Sequence, residues 1–207
     1  MTKSSFGNFL LALFMLSLVG QAAAEVGQAG LTAVAGVVFP VQNTLKAGAG
    51  TGFGLLLRLA PRTRAGIHFL YSQMRSLGSP EGLGQGNLKV TPFILFLQHD
   101  LVSSRFFKVQ LAAGAGLIFS DFRGNFITIP EVTITQKIPT RPAVHLAVGI
   151  ALPITDRLTL FGQGGTLYSR ARGQTIIRDM NFGQSREEFS VNLSSQLAFI
   201  GLVYYFK

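Results

Sequence analysis

Eight stretches of the chain carry bulky apolar residues at alternating positions. Between residues 143 and 152, Val144, Leu146, Val148 and Ile150 alternate with Ala143, His145, Ala147 and Gly149. Such alternation places the two sets on opposite faces of a β-strand. Glycine recurs inside most of these stretches and costs a helix about 1 kcal/mol each time, so the pattern favours strands. The predicted strands are 29–39, 49–60, 65–75, 88–98, 105–120, 143–152, 157–169 and 188–206.

The predicted strands are long. They have 10 to 19 residues, whereas a soluble strand averages about 5–6 and a tilted membrane strand needs about 9–11. In most of them one face is bulky and the other holds small residues with isolated polar groups. This division predicts a lipid-facing side and a lumenal side, with Leu146 and Val148 near the middle of the membrane. In the last strand, the same rule predicts a lipid-facing set of Val191, Leu193, Leu197 and Phe199.

The connections between these strands alternate in length. The longer ones are 40–48, 77–87, 121–142 and 170–187, and the shorter ones are 61–64, 99–104 and 153–156. Outer-membrane barrels have an even number of strands, short periplasmic turns and longer outer loops. The pattern therefore predicts an all-β, eight-stranded, up-and-down antiparallel transmembrane β-barrel. Residues 126–129 and 132–135 also alternate, which predicts a hairpin extending strands five and six above the membrane.

The first 24 residues have the pattern of a secretory signal peptide. Lys3 precedes the apolar run 9–19, and Ala22–Ala24 supplies a small-residue cleavage site. The run is too short for a membrane anchor, which needs about 20 apolar residues. We therefore expect a signal peptide over 1–24 and a barrel domain over 25–207. The later apolar runs are also too short for a transmembrane helix, so a membrane location requires a closed barrel.

Composition narrows the class of protein further. Of the 207 residues 48% are hydrophobic, but only 13% are charged, about half the usual fraction. These values argue against a disordered chain and against a soluble helical bundle, whose exposed faces need many charges. The absence of cysteine excludes disulfides, cysteine metal sites and thiol nucleophiles. A secreted soluble barrel or sandwich is the alternative, but the faces opposite the bulky residues are too poor in polar groups for a water-exposed exterior.

Three stretches resemble a known family. Residues 50–59 with 66–71 resemble the second hairpin, and 201–206 the C-terminal end, of the small outer-membrane β-barrel proteins of Gram-negative bacteria, the eight-stranded OmpX/opacity-protein-like group. The resemblance implies an outer-membrane location, transit with periplasmic chaperones, and an assembly signal at Tyr204 and Phe206 for the barrel-assembly machinery. The chain departs from the pattern in having Lys207 after the terminal aromatic residue.

Polar residues on the small faces predict a filled lumen. An eight-stranded barrel is just wide enough for side chains to fill it, whereas porins need about 16 strands for a water channel. We therefore expect a plug of hydrogen bonds and no diffusion pore. His99, beside Asp100, is expected in a periplasmic turn instead. The predicted lumenal residues are Arg58, His68, Lys108, Gln110, His145 and Asn192.

The alternative to a non-enzymatic barrel is an outer-membrane enzyme, a lipid A deacylase or acyltransferase. That chemistry needs a base within hydrogen-bond reach of a nucleophile. Ser72 is four residues from His68, about 13 Å along a strand, and the glycine-rich runs match no phosphate-binding motif. No His and carboxylate pair has metal-ligand spacing. The sequence therefore predicts a non-enzymatic protein without catalytic residues, metal or cofactor.

The excess of basic residues calls for an anionic partner. The signal peptide takes away only Lys3 of 18 Lys and Arg residues, so 17 face 9 Asp and Glu, a net charge of +8. Export by a signal peptide argues against nucleic acid as the partner. Lipopolysaccharide phosphate is favoured, with contacts predicted at Arg170, Arg172 and Arg186, because guanidinium binds phosphate in a bidentate fork. A solvated loop that binds nothing is the alternative, and the sequence does not identify an extracellular partner.

Overall fold

A computed structural model describes residues 27–79, 82–104, 106–125, 132–179 and 181–206. The predicted signal peptide lies outside these ranges and stays a prediction. No helix in these ranges could span a membrane. The described residues form β1 Ala29–Pro40, β2 Leu45–Lys46, β3 Gly48–Ala60, β4 Thr63–Leu77, β5 Gln85–Ser103, β6 Lys108–Gly124, β7 Val132–Lys137, β8 Arg141–Pro153, β9 Leu158–Tyr168, β10 Arg170–Asp179, β11 Gly183–Asn192 and β12 Ser195–Tyr205.

Eight of the twelve strands close into an antiparallel barrel. Around the wall the order is β1, β3, β4, β5, β6, β8, β9 and β12, and β12 pairs again with β1. Each strand is paired on both sides, so the barrel has no open edge. Each wall strand is next to the wall strand that follows it in the sequence, and the first and last wall strands close the barrel. The structure thus confirms the predicted eight-stranded up-and-down topology.

The connections also alternate as predicted. One end of the barrel, here named the turn end, carries the short links 61–62, 104–107 and 154–157 together with both ends of the barrel chain. The other end, here named the loop end, carries the longer links, which contain β2, β7, β10 and β11. This asymmetry is the one found in outer-membrane barrels, whose short turns face the periplasm.

The outer surface of the barrel is apolar. Five apolar residues of β8 point outward and are each 41–53% exposed: Val144, Leu146, Val148, Ile150 and Leu152. On the opposite face, Ala143, His145, Ala147 and Ala151 are each at most 6% exposed. This confirms the predicted facing of that strand. Exposed aromatic side chains lie at both ends of the apolar band, as in the aromatic girdles of membrane barrels. They include Phe39, Phe119 and Tyr168 towards the loop end, and Phe106 and Tyr204 at the turn end.

A second, three-stranded sheet stands at the loop end. β10 pairs with β11 over its whole length, and Gln174–Asp179 of β10 pairs with β7. The prediction of a loop over 170–187 is therefore wrong, because this stretch contains most of a hairpin. The apolar residues of this hairpin, including the adjacent Ile176 and Ile177, do not alternate regularly with polar ones. Gly183 takes the positive φ (+87°) of the turn.

The predicted hairpin of 126–129 with 132–135 falls partly outside the described part of the chain, because residues 126–129 lie outside it, and it stays a prediction. Val132–Lys137 forms β7, and this strand pairs with β10. The loop-end sheet thus joins two connections that are far apart in the sequence.

The predicted last strand is divided and faces the other way. β11 ends at Asn192 and β12 begins at Ser195. Leu197 and Phe199 are 6% and 8% exposed and face the lumen, whereas Ile200 is 68% exposed, so their predicted lipid-facing position is wrong. Val191 and Leu193 are likewise buried. The lumenal face of β3 is mainly glycine, and a Cβ on Gly50 would lie 3.0 Å from the Phe199 ring, which fills this space.

Candidate functional site

A buried ion pair lies in the lumen near the turn end. Arg64 comes from the start of β4 and Asp100 from the last part of β5, where both positions face inward. Arg64 Nη1 donates to Asp100 Oδ1 at 2.7 Å, and Nη2 donates to Oδ2 at 2.9 Å. The two side chains are 2% and 0% exposed. This is the bidentate geometry in which guanidinium and carboxylate bind most strongly.

Three further side chains extend this pair into the Asp100 network, which consists of Arg64, Gln98, Asp100, Lys108 and Gln110. Gln110 donates to Asp100 Oδ1 at 2.9 Å and accepts from Gln98 at 2.5 Å. Lys108 Nζ lies 3.9 Å from Asp100 Oδ2. Asp100, on β5, therefore accepts hydrogen bonds from a side chain of β4 and a side chain of β6, and it links three neighbouring strands at this end of the lumen.

The two central members of the network are not among the residues predicted from the sequence. The predicted turns include Arg64 and Asp100, but β4 begins at Thr63 and β5 continues to Ser103. Asp100 follows Gln98 by two positions, so the alternating pattern, continued past the predicted strand end, would have placed it inward. The predicted turn position of His99 is also wrong, since it lies within β5 with Nδ1 3.1 Å from Thr63 Oγ1.

The predicted lumenal residues occupy several places. Lys108 and Gln110 belong to the Asp100 network, and Arg58 Nη1 donates to Gln28 Oε1 at 3.3 Å near the turn end. His68 and His145 are buried on the lumenal faces of β4 and β8. Asn192 is not lumenal, because it ends β11, where its backbone N–H donates to Gln42 Oε1 at 2.8 Å.

The middle of the lumen is packed around His68. Its ring lies 4.3 Å from the Phe96 ring, centroid to centroid. A Cβ on Gly54 would overlap the His68 ring and approach Thr32 Oγ1 to 2.8 Å, so this contact requires glycine. His68 Nε2 and Thr32 Oγ1 are buried without a hydrogen-bond partner. Both residues line a cavity of about 20 Å³, which is the volume that one water needs.

The three predicted phosphate contacts do not form one patch. Arg170 and Arg172 lie on the same face at the base of β10. Arg186 is paired with Ile176, six positions further up the hairpin than Arg170, or about 20 Å along the strand. The grouping of Arg186 with the other two is therefore wrong, because the segment between them is an extended hairpin and not a loop that returns to the membrane.

The predicted assembly signal lies on the outside of β12. Tyr204 is 44% exposed, and its ring packs edge-to-face against Phe206 with the centroids 5.6 Å apart. Lys207 is outside the described residues. The pair is placed where a partner could reach it, and its use as a signal stays a prediction.

Two kinds of group bear on catalysis, the serine nearest to a lumenal histidine in the sequence and clusters of metal-binding side chains. Ser72 Oγ, on the same lumenal face as His68, donates to the Val90 carbonyl at 3.5 Å. Within the described ranges, no group of three or more His, Asp or Glu side chains could hold a metal ion.

Solved structures share this fold at low sequence identity. OprG from Pseudomonas aeruginosa, an outer membrane protein, has a TM-score of 0.66 at 14% identity, over 87% of this chain and 96% of that one. A major outer membrane protein from Thermus thermophilus gives 0.57 at 15% identity, over 86% and 98%. Neisserial surface protein A gives 0.52 at 13%, over 86% and 97%. No family model matches the sequence, and no curated protein matches it.

Proposed function

We propose that this chain, which has the fold of the small outer-membrane β-barrels, is an integral outer-membrane protein that presents the sheet β7–β10–β11 at the cell surface. The confirmed fold and the apolar exterior support the outer-membrane location. The alternation of short turns and long loops supports an orientation with the loop end outside. Lipid of the outer membrane, including lipopolysaccharide, is then its immediate surroundings.

The role that fits this placement is structural or surface-interactive, with a closed lumen. The observation that carries it is the filling of the barrel interior. The Asp100 network occupies the turn end, and His68, Phe96 and Phe161 are buried in the middle around a cavity of only about 20 Å³. A water-filled channel requires a much wider barrel, of about 16 strands.

The loop-end sheet is the part available to an extracellular partner. Phe182, beside the turn of its hairpin, is 91% exposed, and Arg186, Glu187 and Glu188 are exposed along β11. In this orientation the sheet stands on the outer side of the membrane. Periplasmic chaperones and the barrel-assembly machinery, reading Tyr204 and Phe206, would deliver the protein there.

We propose no enzymatic activity and no cofactor for this protein. Lipid A deacylation or acyl transfer needs a nucleophile hydrogen-bonded to a base. The one serine close to a lumenal histidine in sequence, Ser72, instead donates to a backbone carbonyl. It also lies inside the barrel wall, on the face away from the acyl chains that such an enzyme would cleave.

Conductance across a planar lipid bilayer tests the closed lumen. We expect the refolded protein to insert without producing discrete current steps, because side chains fill the barrel interior. A 16-stranded porin, refolded and added at the same protein density, is the positive control. Reproducible steps from the wild-type protein would overturn the closed lumen while leaving the barrel fold intact.

A further inference from the structure

Beyond the closed wall, the strand pairing is interrupted and leaves an opening near the loop end. β8 and β9 are paired up to Val144 and Tyr168, and β7 and β10 are paired from Lys137 and Gln174 onwards. Between these pairs, residues 138–143 and 169–173 form no ladder with each other. Pro139 and Pro142 lack the N–H groups that such a ladder needs. A side-chain hydrogen bond, from Ser169 Oγ to the Pro142 carbonyl at 2.9 Å, bridges part of the space.

A cavity with an excess of positive charge adjoins this opening. It has a volume of about 720 Å³, and its charged lining residues are Arg141, Arg170 and Arg172. Gln42, Ser190 and Asn192 add neutral hydrogen-bonding groups, and no carboxylate belongs to the lining. A neighbouring cavity of about 570 Å³ shares Arg141 and Arg172 but also contains Asp121 and Glu188. The first cavity is therefore the one suited to an anion.

None of the three arginines forms an ion pair with a described carboxylate. In the described ranges, the ion pairs join Asp100 to Arg64 and Lys108, and Asp121 to Arg123. Arg141 begins β8 and is partly buried, and its Nε is buried without a hydrogen-bond partner. A buried donor left unpaired is unfavourable, and more so when it is charged. An anion in the cavity would satisfy Arg141 and offset the repulsion among the three guanidinium groups.

The aromatic girdle indicates that the cavity lies at the height of lipid headgroups. Tyr168, the last residue of β9, points outward in the aromatic girdle with 54% exposure. Aromatic girdles mark the membrane interface. Arg170 and Arg172 begin β10 and follow Tyr168 by two and four residues, at most about 7 and 14 Å of extended chain. This is where the phosphates of an outer leaflet are found, so the position is suited to a phosphorylated headgroup.

We propose that this cavity binds a phosphate monoester through Arg141, Arg170 and Arg172. Guanidinium groups bind phosphate oxygens in charge-assisted, often bidentate geometry. The orientation rests on the proposed function, since the loop end must face outward. Two sources share this chemistry: the phosphorylated headgroup of lipid A, and a soluble sugar phosphate that enters from outside.

Calorimetric titration of the refolded mature chain in detergent micelles tests the site. The probes are bisphosphorylated lipid A, its dephosphorylated form, glucose 1-phosphate and glucose. We expect binding of the phosphorylated member of at least one pair, and a loss of at least about tenfold in the Arg170→Gln/Arg172→Gln variant. Arg178→Gln, which removes a cation from the same strand outside the cavity, should bind like the wild type. Arg141→Gln should also weaken binding.

The pattern of binding distinguishes a lipid A headgroup from a soluble sugar phosphate, and it shows whether the site exists. Binding of lipid A alone identifies the headgroup as the ligand, and binding of glucose 1-phosphate identifies a soluble one. Equal binding of phosphorylated and dephosphorylated probes, no binding of any probe, or an equal loss in Arg178→Gln would overturn the proposed site. Electrophoretic mobility without heating shows whether each variant is a folded barrel, so a failed site is distinguished from a failed barrel.

Discussion

Asp100→Ala is expected to destabilise the barrel by about 3–5 kcal/mol, the range for removing one partner of a buried ion pair. Asp100 is fully buried and accepts hydrogen bonds from Arg64 and Gln110. Its loss would leave the Arg64 guanidinium buried without a counter-charge, with Lys108 nearby. The measurement is the folded fraction of the refolded protein against urea concentration, scored by electrophoretic mobility without heating.

Two further variants are controls for the effect of Asp100→Ala on stability. Asp156→Ala removes the same charge from an exposed turn and should change the free energy of unfolding little. Arg64→Met/Asp100→Leu replaces both partners by apolar side chains and should recover most of the stability, because no buried charge is left unpaired. If Asp100→Ala unfolds at the same urea concentration as Asp156→Ala, the Asp100 network does not stabilise the barrel.

Val148→Arg is expected to cost about 2–4 kcal/mol in a bilayer, the measured range for arginine at the midplane of a membrane barrel. Val148 is the central residue of the five outward-facing apolar positions on β8 and is 53% exposed. Its environment outside the barrel is acyl chain, which cannot solvate a guanidinium. The measurement is the free energy of unfolding of the protein refolded in lipid vesicles.

The matched control is Gln85→Arg, which introduces the same side chain at an exposed position at the loop end of β5. This variant should unfold like the wild type, because the guanidinium remains in water. Equal destabilisation by the two substitutions would mean that Val148 does not face lipid, and it would contradict the assigned outer surface.

The barrel could be predicted because its determinants are local. On β8, alternation of bulky and small residues fixes the two faces, and a change of register by one residue would exchange them. The alternating link lengths then fix the topology, since consecutive strands pair by short turns on one side. Neither inference needs any knowledge of which distant residues meet.

The parts that were predicted wrongly depend on distant contacts. The lumenal position of Phe199 follows from the space left by the glycines of β3, which lie far away in sequence. The hairpin β10–β11 gains a partner in β7, from another connection. Arg141 of β8 lines one cavity with Arg170 and Arg172 of β10, although they lie 29 and 31 positions apart in the sequence. Local periodicity does not contain this information.

Cell fractionation combined with heat-modifiable electrophoretic mobility tests the transmembrane barrel most directly. The full chain is expressed in a Gram-negative host, and the envelope is separated into soluble periplasm, inner membrane and outer membrane. We expect the mature protein in the outer membrane, running faster on the gel before heating than after it, because a closed barrel stays compact in detergent. Recovery as a soluble periplasmic monomer whose mobility does not change on heating would contradict the account.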